Sequence, residues 1–344
     1  MFAYILKRFL LMFPTLLGVL LLTFVVVQFV PGGPVEQVLA ESRAGAGSEG
    51  SGYKAGRDID KKQREELMKQ FGFDKPAPER YLKMLGDYAR FDLGKSFLQN
   101  KGVWELIKEK LPVSMSLGLW TFLISYAISI PLGVAKAVRE GSRFDVLTTF
   151  GVLLGYAIPG FVLGVLLIVL FAGGSFLEWF PLRGLTSDNW SDLAWPARIT
   201  DYFWHLAMPL TCMIIGHFAI LTMLTKNTFV EELRKQYVLV ARAKGLSQQR
   251  VLYKHVFRNA LIPLITGFPS AFIGAFFAGS VLIETLFSLD GLGLLSYEAV
   301  VRRDFPVVLG SLYLFTLIAL VVKLVADMMY VAVDPRVQFG SVGR

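Results

Sequence analysis

Basic side chains that could bind a partner are concentrated in residues 226–258. This segment holds eight Lys or Arg residues and only two Glu residues, and long apolar runs precede and follow it. Arg250, Lys254 and Arg258 recur at intervals of four, which places them on one face of a helix. Another face carries Val251, Leu252, His255 and Val256. The pattern predicts a short amphipathic helix suited to ion pairing and hydrogen bonding.

Glycine and serine divide the same segment. A first helix is expected to continue from the preceding apolar run through Tyr237 to Ala241. It should end at Gly245, since glycine adopts the left-handed C-terminal conformation without a Cβ clash. Ser247 can then cap a second helix, over 248 to about 258. Spacing alone leaves two interpretations open: a basic helix lying on anionic lipid headgroups, or a lever that a cytoplasmic motor protein grips.

The rest of the sequence contains no recognisable catalytic motif or metal site. His205, His217 and His255 are too scattered for a zinc site, and the single cysteine, Cys212, excludes an intrachain disulfide. The sequence contains no Gly-x-Ser-x-Gly elbow, no His-Glu-x-x-His site and no Gly-x-x-x-x-Gly-Lys-Ser/Thr phosphate loop. We therefore expect no catalytic residue and no metal site, and a helix–helix hydrogen bond at His217.

The composition is that of a membrane protein. Of 344 residues, 54% are hydrophobic and 18% charged, and the mean hydropathy is +0.53. This excludes a disordered chain and disfavours a soluble enzyme. Six charge-poor runs are long enough to cross a bilayer: 9–30, 111–135, 146–177, 206–225, 259–283 and 305–333. The expected fold is therefore an all-α integral membrane protein with six transmembrane helices.

Two of these runs need comment. The first could be a signal peptide, but its 22 residues exceed the usual apolar length of such a peptide, so we expect a retained helix. The third is longer than one span requires and contains Pro159 beside Gly160, which predicts a kink or break there. Gly173 and Gly174 should end it.

The distribution of charge predicts the topology. Segments 1–8, 136–145, 226–258 and 334–344 together carry 15 basic and 5 acidic residues. The two short segments on the opposite side carry 4 basic and 8 acidic residues. Because short cytoplasmic loops are enriched in Lys and Arg, both termini are expected in the cytoplasm. The net charge of +8 then orients helices, and we expect no nucleic-acid partner.

The long segment 31–110 is expected outside, by alternation. It should contain a flexible linker at 42–52 and helices at 58–71, 78–91 and 103–110. The face of the second helix should carry Tyr81, Leu82, Leu85, Tyr88 and Ala89. Two interpretations stay open: a small cap on the membrane domain, or a docking surface for an external partner. In the last run, Lys323 and Asp327 are expected to form a structural pair, and a substrate or proton path is the alternative.

Two stretches of the 226–258 region resemble a known family. Tyr237–Ser247 and His255–Pro263 are similar to the EAA loop of ATP-binding-cassette importer permeases, in the version found in peptide importers. The resemblance implies a coupling helix that docks into a separate ATPase, which binds ATP and Mg²⁺; this chain itself would hold no cofactor. The residues implied in coupling are Glu232, Ala241, Arg242, Gly245, Ser247, His255, Arg258 and Asn259.

The resemblance covers nearly the whole chain. Other similar segments include Phe71–Pro76, Asp92–Ser96, Glu284–Leu295 and Asp327–Arg336. It implies a type I importer (MetI-like) fold, and a B-type subunit most like the Yej-type permeases, a branch associated with microcin C and oligopeptides. The residues expected near the path or the binding protein are Asp290, Gly291, Gly293, Arg303 and Asp304. Side chains that contact the substrate are not identified.

The resemblance also implies an organisation and a set of partners. Residues 1–30 would form the cytoplasmic N-terminus and first span, 31–110 a periplasmic helical loop, 111–334 a five-helix core and 335–344 a cytoplasmic tail. The chain would lie in a bacterial inner membrane, among lipids, with a second homologous permease, two ATP-binding-cassette domains and a periplasmic peptide-binding protein. The alternatives are an importer of nickel or sugar and a membrane-anchored interaction protein.

Overall fold

The computed structural model describes residues 2–29, 74–174, 176–277 and 281–333. In this part of the chain the regular structure is helical, apart from one isolated bridge between Lys95 and Gly102. The α-helices are α1 (Phe2–Phe29), α2 (Ala77–Ala89), α3 (Val103–Val138), α4 (Arg143–Ala157), α5 (Gly160–Phe171), α6 (Trp195–Leu233), α7 (Gln236–Ala243), α8 (Gln248–Val251), α9 (Phe257–Ala260), α10 (Ile262–Phe277), α11 (Val281–Leu286), α12 (Leu292–Val301) and α13 (Phe305–Val333). The all-α fold class is confirmed.

Four of the described helices are long and apolar enough to cross a membrane alone: α1, α3, α6 and α13. The pair α4 and α5 counts as a fifth if it is one span. The remaining run predicted at 259–283 includes α10, which has 16 residues, and residues outside the described part. The number of six spans therefore stays a prediction.

The break predicted in the third apolar run is confirmed. Helix α4 ends at Ala157, α5 begins at Gly160, and the two axes are bent by 89°. Glycine is required after the break, because a Cβ on Gly160 would lie 2.6 Å from the carbonyl oxygen of Cys212, and one on Gly164 would lie 2.6 Å from Leu286. The bend therefore lets α5 approach α6 and α11 closely. Gly174, with φ of +70°, follows the end of α5 as expected.

The described residues divide into two compact units. The first is built mainly from residues 111–294. One part of its core is apolar and joins α3, α6 and α11 through Leu117, Leu206, Met208, Cys212 and Phe287. Helix α6, at 39 residues, extends well beyond the predicted run 206–225 at both ends.

The hydrogen bond of His217 was predicted wrongly. Its Nδ1 lies 3.0 Å from the carbonyl oxygen of Met213 in the same helix, and the side chain is exposed. A histidine can meet its hydrogen-bonding need from the carbonyl of the preceding turn, so a partner on another helix is not required.

The second unit contains described residues from 6–29, 74–110 and 295–320. Helix α2 confirms the helix expected at 78–91, and its buried Tyr88 lies against Tyr313, with ring centroids 5.0 Å apart. The predicted face is only partly correct, because Leu82 is 68% exposed. The separate helix expected at 103–110 is wrong, since these residues form the start of α3 without a break. The linker 42–52 and the helix 58–71 lie outside the described residues.

Close contact between α3 and α6 leads to a stability prediction. A Cβ on Gly133 would lie 2.6 Å from Cβ of Thr225 and 2.9 Å from the carbonyl oxygen of Thr222. Gly133→Ala should lower the free energy of unfolding by about 1–3 kcal/mol, the usual effect of overpacking. Gly151→Ala is the control, since nothing lies within 4 Å of its Cβ position. Thermal unfolding of both variants in detergent tests this, and equal melting temperatures would contradict it.

Candidate functional site

The basic segment 226–258 forms a compact loop of helices at the end of α6, here called the coupling loop. The single helix expected to continue to Ala241 is wrong: α6 ends at Leu233, and α7 begins at Gln236. Between them Lys235 is extended, with ψ of 150°. The break redirects the chain so that Val238 and Ala241 of α7 join Phe229 of α6 in one apolar cluster. Burial of these side chains thus overrides local helix continuity.

A hydrogen-bonded brace closes this break. The Tyr237 hydroxyl donates to Oε2 of Glu232 at 2.8 Å, and the side chain of Asn259 is hydrogen-bonded to the same hydroxyl. Burial raises the pKa of Tyr237 above its usual range, so the hydroxyl keeps its proton and remains a donor. Lys235 also contacts Glu232. The brace therefore joins the end of α6 to both α7 and α9.

The turn at Gly245 has the predicted conformation. Gly245 has φ of +81°, its N–H donates to the carbonyl of Arg242 at 2.9 Å, and the N–H of Leu246 donates to that of Ala241 at 3.3 Å. This pair of bonds is the Schellman motif, which satisfies the last carbonyls of α7. A side chain here would be strained by backbone conformation alone, because the space around the Cβ position is open.

The second helix of the coupling loop begins as predicted. Ser247 is its N-cap and accepts from the N–H of Arg250 at 3.4 Å. Between α8 and α9, Leu252–Val256 form a π-helical turn, so the helical path continues to Ala260. The sequence carries no signal for this turn. Such turns occur often at functional sites.

An apolar cluster holds the coupling loop against the membrane helices. Val251 and Val256 are at most 1% exposed and pack with Phe229 of α6 and with Val134 and Ala137 of α3. The apolar face predicted for the second helix is therefore confirmed, with His255 half-buried beside it. The second helix is therefore packed closely on the ends of α3 and α6.

The predicted coupling residues divide between two sides of the loop. The exposed ones are Arg242, Gly245, Ser247 and Arg258, and Arg250 and Lys254 are exposed beside them. Glu232, Ala241 and Asn259 are buried or half-buried and contact the loop itself. The sequence pattern does not distinguish the exposed from the buried residues. It also gives no indication that Tyr237, although part of the motif, is a site residue.

The predicted external residues belong to two compact units: Asp290, Gly291 and Gly293 to the first, and Arg303 and Asp304 to the second. Gly291 and Gly293 belong to the first unit, where they surround a completely buried carboxylate, that of Glu284. Oε2 of Glu284 accepts from the N–H of Leu294 at 2.7 Å, and the N–H of Gly293 also donates to this carboxylate. Gly291 must be glycine, since a Cβ would lie 2.6 Å from Cδ of Glu284.

Glu284 thereby acts as the N-terminal cap of α12. The N–H of Leu292 is bound separately, by Oγ of Ser114 at 2.8 Å, so the first three amides of α12 all have partners. Burial raises the pKa of Glu284, and the helix amides act in the opposite direction. Asp290 is exposed at the turn before Gly291. The sequence signal for this site was the spacing of Glu284 to the two glycines.

Asp304 belongs to a structural joint in the second unit. It is 4% exposed, its Oδ2 accepts from Oγ of Ser96 at 2.5 Å, and its Oδ1 accepts from the N–H of Phe97 at 3.0 Å. Its carbonyl also accepts from the N–H of Val308 in the first turn of α13. Arg303 before it has φ of +57°. The two motifs that carry Ser96 and Asp304 therefore bind each other, and Asp304 is not available to a partner.

A further charged cluster went unpredicted. Lys136, Asp145 and Lys226 come from α3, α4 and α6 and form two ion pairs. The charge count places Lys136 and Asp145 in a short cytoplasmic segment, whereas both side chains are buried. Elsewhere, within 2–29, 74–174, 176–277 and 281–333, no three His, Cys, Asp or Glu residues are grouped to hold a metal ion.

Known proteins similar to this chain are bacterial permeases. The family model described as the binding-protein-dependent transport system inner membrane component matches residues 129–339. The chain is 53% identical to the peptidoglycan transport system permease protein YejB of Agrobacterium fabrum, over 98% of each chain. It is 52% identical to the inner membrane ABC transporter permease protein YejB of Escherichia coli O157:H7, over 98% of this chain and 99% of that one. It is 35% identical to the oligopeptide transport system permease protein AppB of Bacillus subtilis, over 98% and 100%.

The left-handed turn of the coupling loop gives a first prediction. Gly245→Ala should destabilise the turn by about 1–2 kcal/mol, because a Cβ is disfavoured at positive φ. Hydrogen exchange of amides 245–256 should become faster. Gly216→Ala in α6 is the matched control, since its Cβ position is open and its φ is not positive. Unchanged exchange in Gly245→Ala would show that the turn tolerates a side chain.

The cap of α12 gives a second prediction. Glu284→Gln replaces one acceptor oxygen by an NH₂ group, which cannot accept from a backbone amide. The variant should lose about 1–3 kcal/mol of stability, the usual result of leaving a buried donor without a partner. Exchange of amides 292–295 and thermal unfolding measure the effect. Glu298→Gln in the same helix is the control, and equal behaviour of the two variants would refute the capping role.

Proposed function

This chain belongs to the family of inner membrane components of binding-protein-dependent transport systems, and from that premise we propose that it is the permease subunit of an ATP-driven peptide importer. The family membership expected from the sequence is thereby confirmed. The observation that carries the proposal is similarity of more than 50% identity over nearly the full length to two permeases. The chain forms part of the path and does not hydrolyse ATP.

The two-sided coupling loop supports a role in energy transfer. Its exposed basic face, with Arg250, Lys254 and Arg258, is suited to an acidic groove on a separate ATPase, which binds ATP and Mg²⁺. Its buried face is fixed to α3 and α6. Closure of two ATPase domains then moves the helix, and the membrane helices follow. The path alternates between inward-facing and outward-facing states, as in transporters generally.

The partners follow from this role. A second, homologous permease completes the path, a binding protein delivers the substrate from outside, and lipids surround the spans. The chain lies in a bacterial inner membrane with both termini in the cytoplasm, since the segments so placed carry the excess of Lys and Arg. We place Asp290, Gly291 and Gly293 on the outer side of the membrane, near the path or the binding protein, beside the start of α12 that Glu284 caps.

The proposed substrate is a peptide. Of the related permeases, one is described for oligopeptides and one for peptidoglycan. Oligopeptides, including peptide antibiotics such as microcin C, are the first candidates. Peptide-bearing fragments of peptidoglycan are the second, because the relative with 53% identity is described as a peptidoglycan permease.

The proposal is tested by isolating the complex through a tag on this chain. We expect co-purification of an ATPase and a second permease, and ATP hydrolysis and uptake in proteoliposomes that rise with binding protein and peptide. A library of oligopeptides and muropeptides distinguishes the two substrate classes. Stimulation by nickel or a sugar, with no response to either library, would contradict the proposal.

Charge reversal tests the docking face directly. Changing Arg250, Lys254 and Arg258 to Glu should weaken ATPase co-purification by at least about tenfold, because like charges across an interface cost several kcal/mol. The chain should still reach the membrane, since these side chains are exposed. Lys83, Lys95 and Lys108 changed to Glu provide the control, as they are exposed residues of the second unit. Equal loss in both triple variants would argue against a specific docking face.

A further inference from the structure

A buried carboxylate is shared by lysines from two different helices. Asp145, in the first turn of α4, binds Nζ of Lys136 through Oδ1 at 3.2 Å and Nζ of Lys226 through Oδ2 at 2.7 Å. The side chains of Lys136, Asp145 and Lys226 are 0%, 6% and 16% exposed. Charged groups this buried are retained only when they are paired. We call these three residues the lysine–aspartate network.

Lys136 belongs wholly to the hairpin formed by α3 and α4. Its ammonium donates to the carbonyl of Asp145 at 3.0 Å and to the hydroxyls of Thr148 and Thr149 at 2.8 and 2.7 Å. All of these partners lie on α4, so every bond of this lysine joins α3 to α4. The turn is closed separately, since Gly141 donates to Asp145 at 3.1 Å and Ser142 caps α4. The ammonium of Lys136 and the start of α4 therefore find their hydrogen-bond partners within the hairpin, without α6.

Lys226 adds an ionic contact between α6 and α4 to the apolar packing of α6 on α3. It lies seven residues before the end of α6 and three before Phe229, which is fully buried in the apolar cluster under the coupling loop. A second pair, Arg234 with Glu140 at 2.8 Å, joins the end of α6 to the same hairpin, but its side chains are 69% and 43% exposed. Exposed pairs contribute little to stability. The Lys226–Asp145 bond is thus the strong ionic connection between α6 and the hairpin.

Neutralisation of Asp145 does not explain why Lys226 is present in addition to Lys136. Lys136 alone neutralises Asp145, so the network carries one cation more than burial of the carboxylate requires. Removing Lys226 leaves a neutral buried pair, whereas removing Asp145 leaves a fully buried lysine without its counter-ion. Lys226 can therefore be lost without leaving a buried charge unpaired, and its role lies in the connection it makes.

We propose that Lys226 is a positioning residue for transport, whose bond to Asp145 makes α4 follow α6 when the coupling loop moves. The proposal rests on the transport function proposed above. Helix α4 leads at its far end into the bent junction with α5. Through the bond at Asp145, motion imposed at the coupling loop reaches this junction as well as α6 itself. Without it, α4 is joined to α6 by packing alone and follows it less closely.

The test uses the complete complex with its binding protein in proteoliposomes, and compares Lys226→Met with Lys226→Arg. Lys226→Met should retain stimulated ATP hydrolysis, while peptide uptake per ATP falls about tenfold, within the usual range of coupling between sites. Lys226→Arg keeps the charge and should restore most of the uptake. Arg143→Met removes an exposed cation from the same hairpin and should behave as wild type.

A distance measurement separates positioning from general stability. Spin labels are placed at two exposed positions, Leu147 on α4 and Ile220 on α6. In the wild type their separation should be the same in the nucleotide-free and ATP-trapped complexes, because the two helices move together. In Lys226→Met it should differ between the two states.

Each result decides between the hypotheses. Unchanged uptake per ATP in Lys226→Met overturns the inference while leaving the proposed function intact. Failure of Lys226→Met to assemble would make it a folding residue and would also overturn the inference. If the wild-type complex shows neither uptake nor peptide-stimulated hydrolysis, the proposed transport function fails, and this inference fails with it.

Discussion

A polar group buried in an apolar environment has no water to bind, so its partner must come from the chain itself. The described helices meet this constraint through three acidic side chains. Glu284 binds the second and third amides of α12, Asp304 binds Ser96, and Asp145 binds two lysines. The partners are far apart in sequence, by 208 residues for Asp304 with Ser96 and by 81 for Lys226 with Asp145. The contacts that stabilise these buried carboxylates therefore also connect elements that are distant in sequence.

The coupling loop meets the same constraint on one of its two sides. On its inner side, apolar side chains pack on α3 and α6. The polar side chains at the break between α6 and α7 are hydrogen-bonded to one another in the Glu232–Tyr237–Asn259 brace. Its outer side keeps exposed arginines and a lysine. The energy transfer proposed above requires both properties, since a loose inner side would absorb the movement that the outer side receives.

Much of the loop could be predicted because it follows local rules. Gly245 and Ser247 occupy the helix ends that their backbone and side-chain chemistry favour, and the spacing of Val251, Leu252 and Val256 assigned them correctly to a buried face. The break after Leu233 could not be predicted in this way. It exists because Val238 and Ala241 pack beside Phe229, and that contact depends on where α6 ends in space.

The sequence by itself determined the helical membrane class, the break at Pro159, the amphipathic coupling loop and the family. These depend on composition, periodicity, caps and motifs, all of which are local properties of the chain. Only the tertiary structure decided that Asp304 is buried with Ser96, that Glu232 faces inward, and that Lys136 and Asp145 are core residues of the hairpin. A charged residue near the end of an apolar run looks the same in sequence whether it meets water or an opposite charge. Its partner is set by which helices lie side by side, and that is a long-range property of the fold.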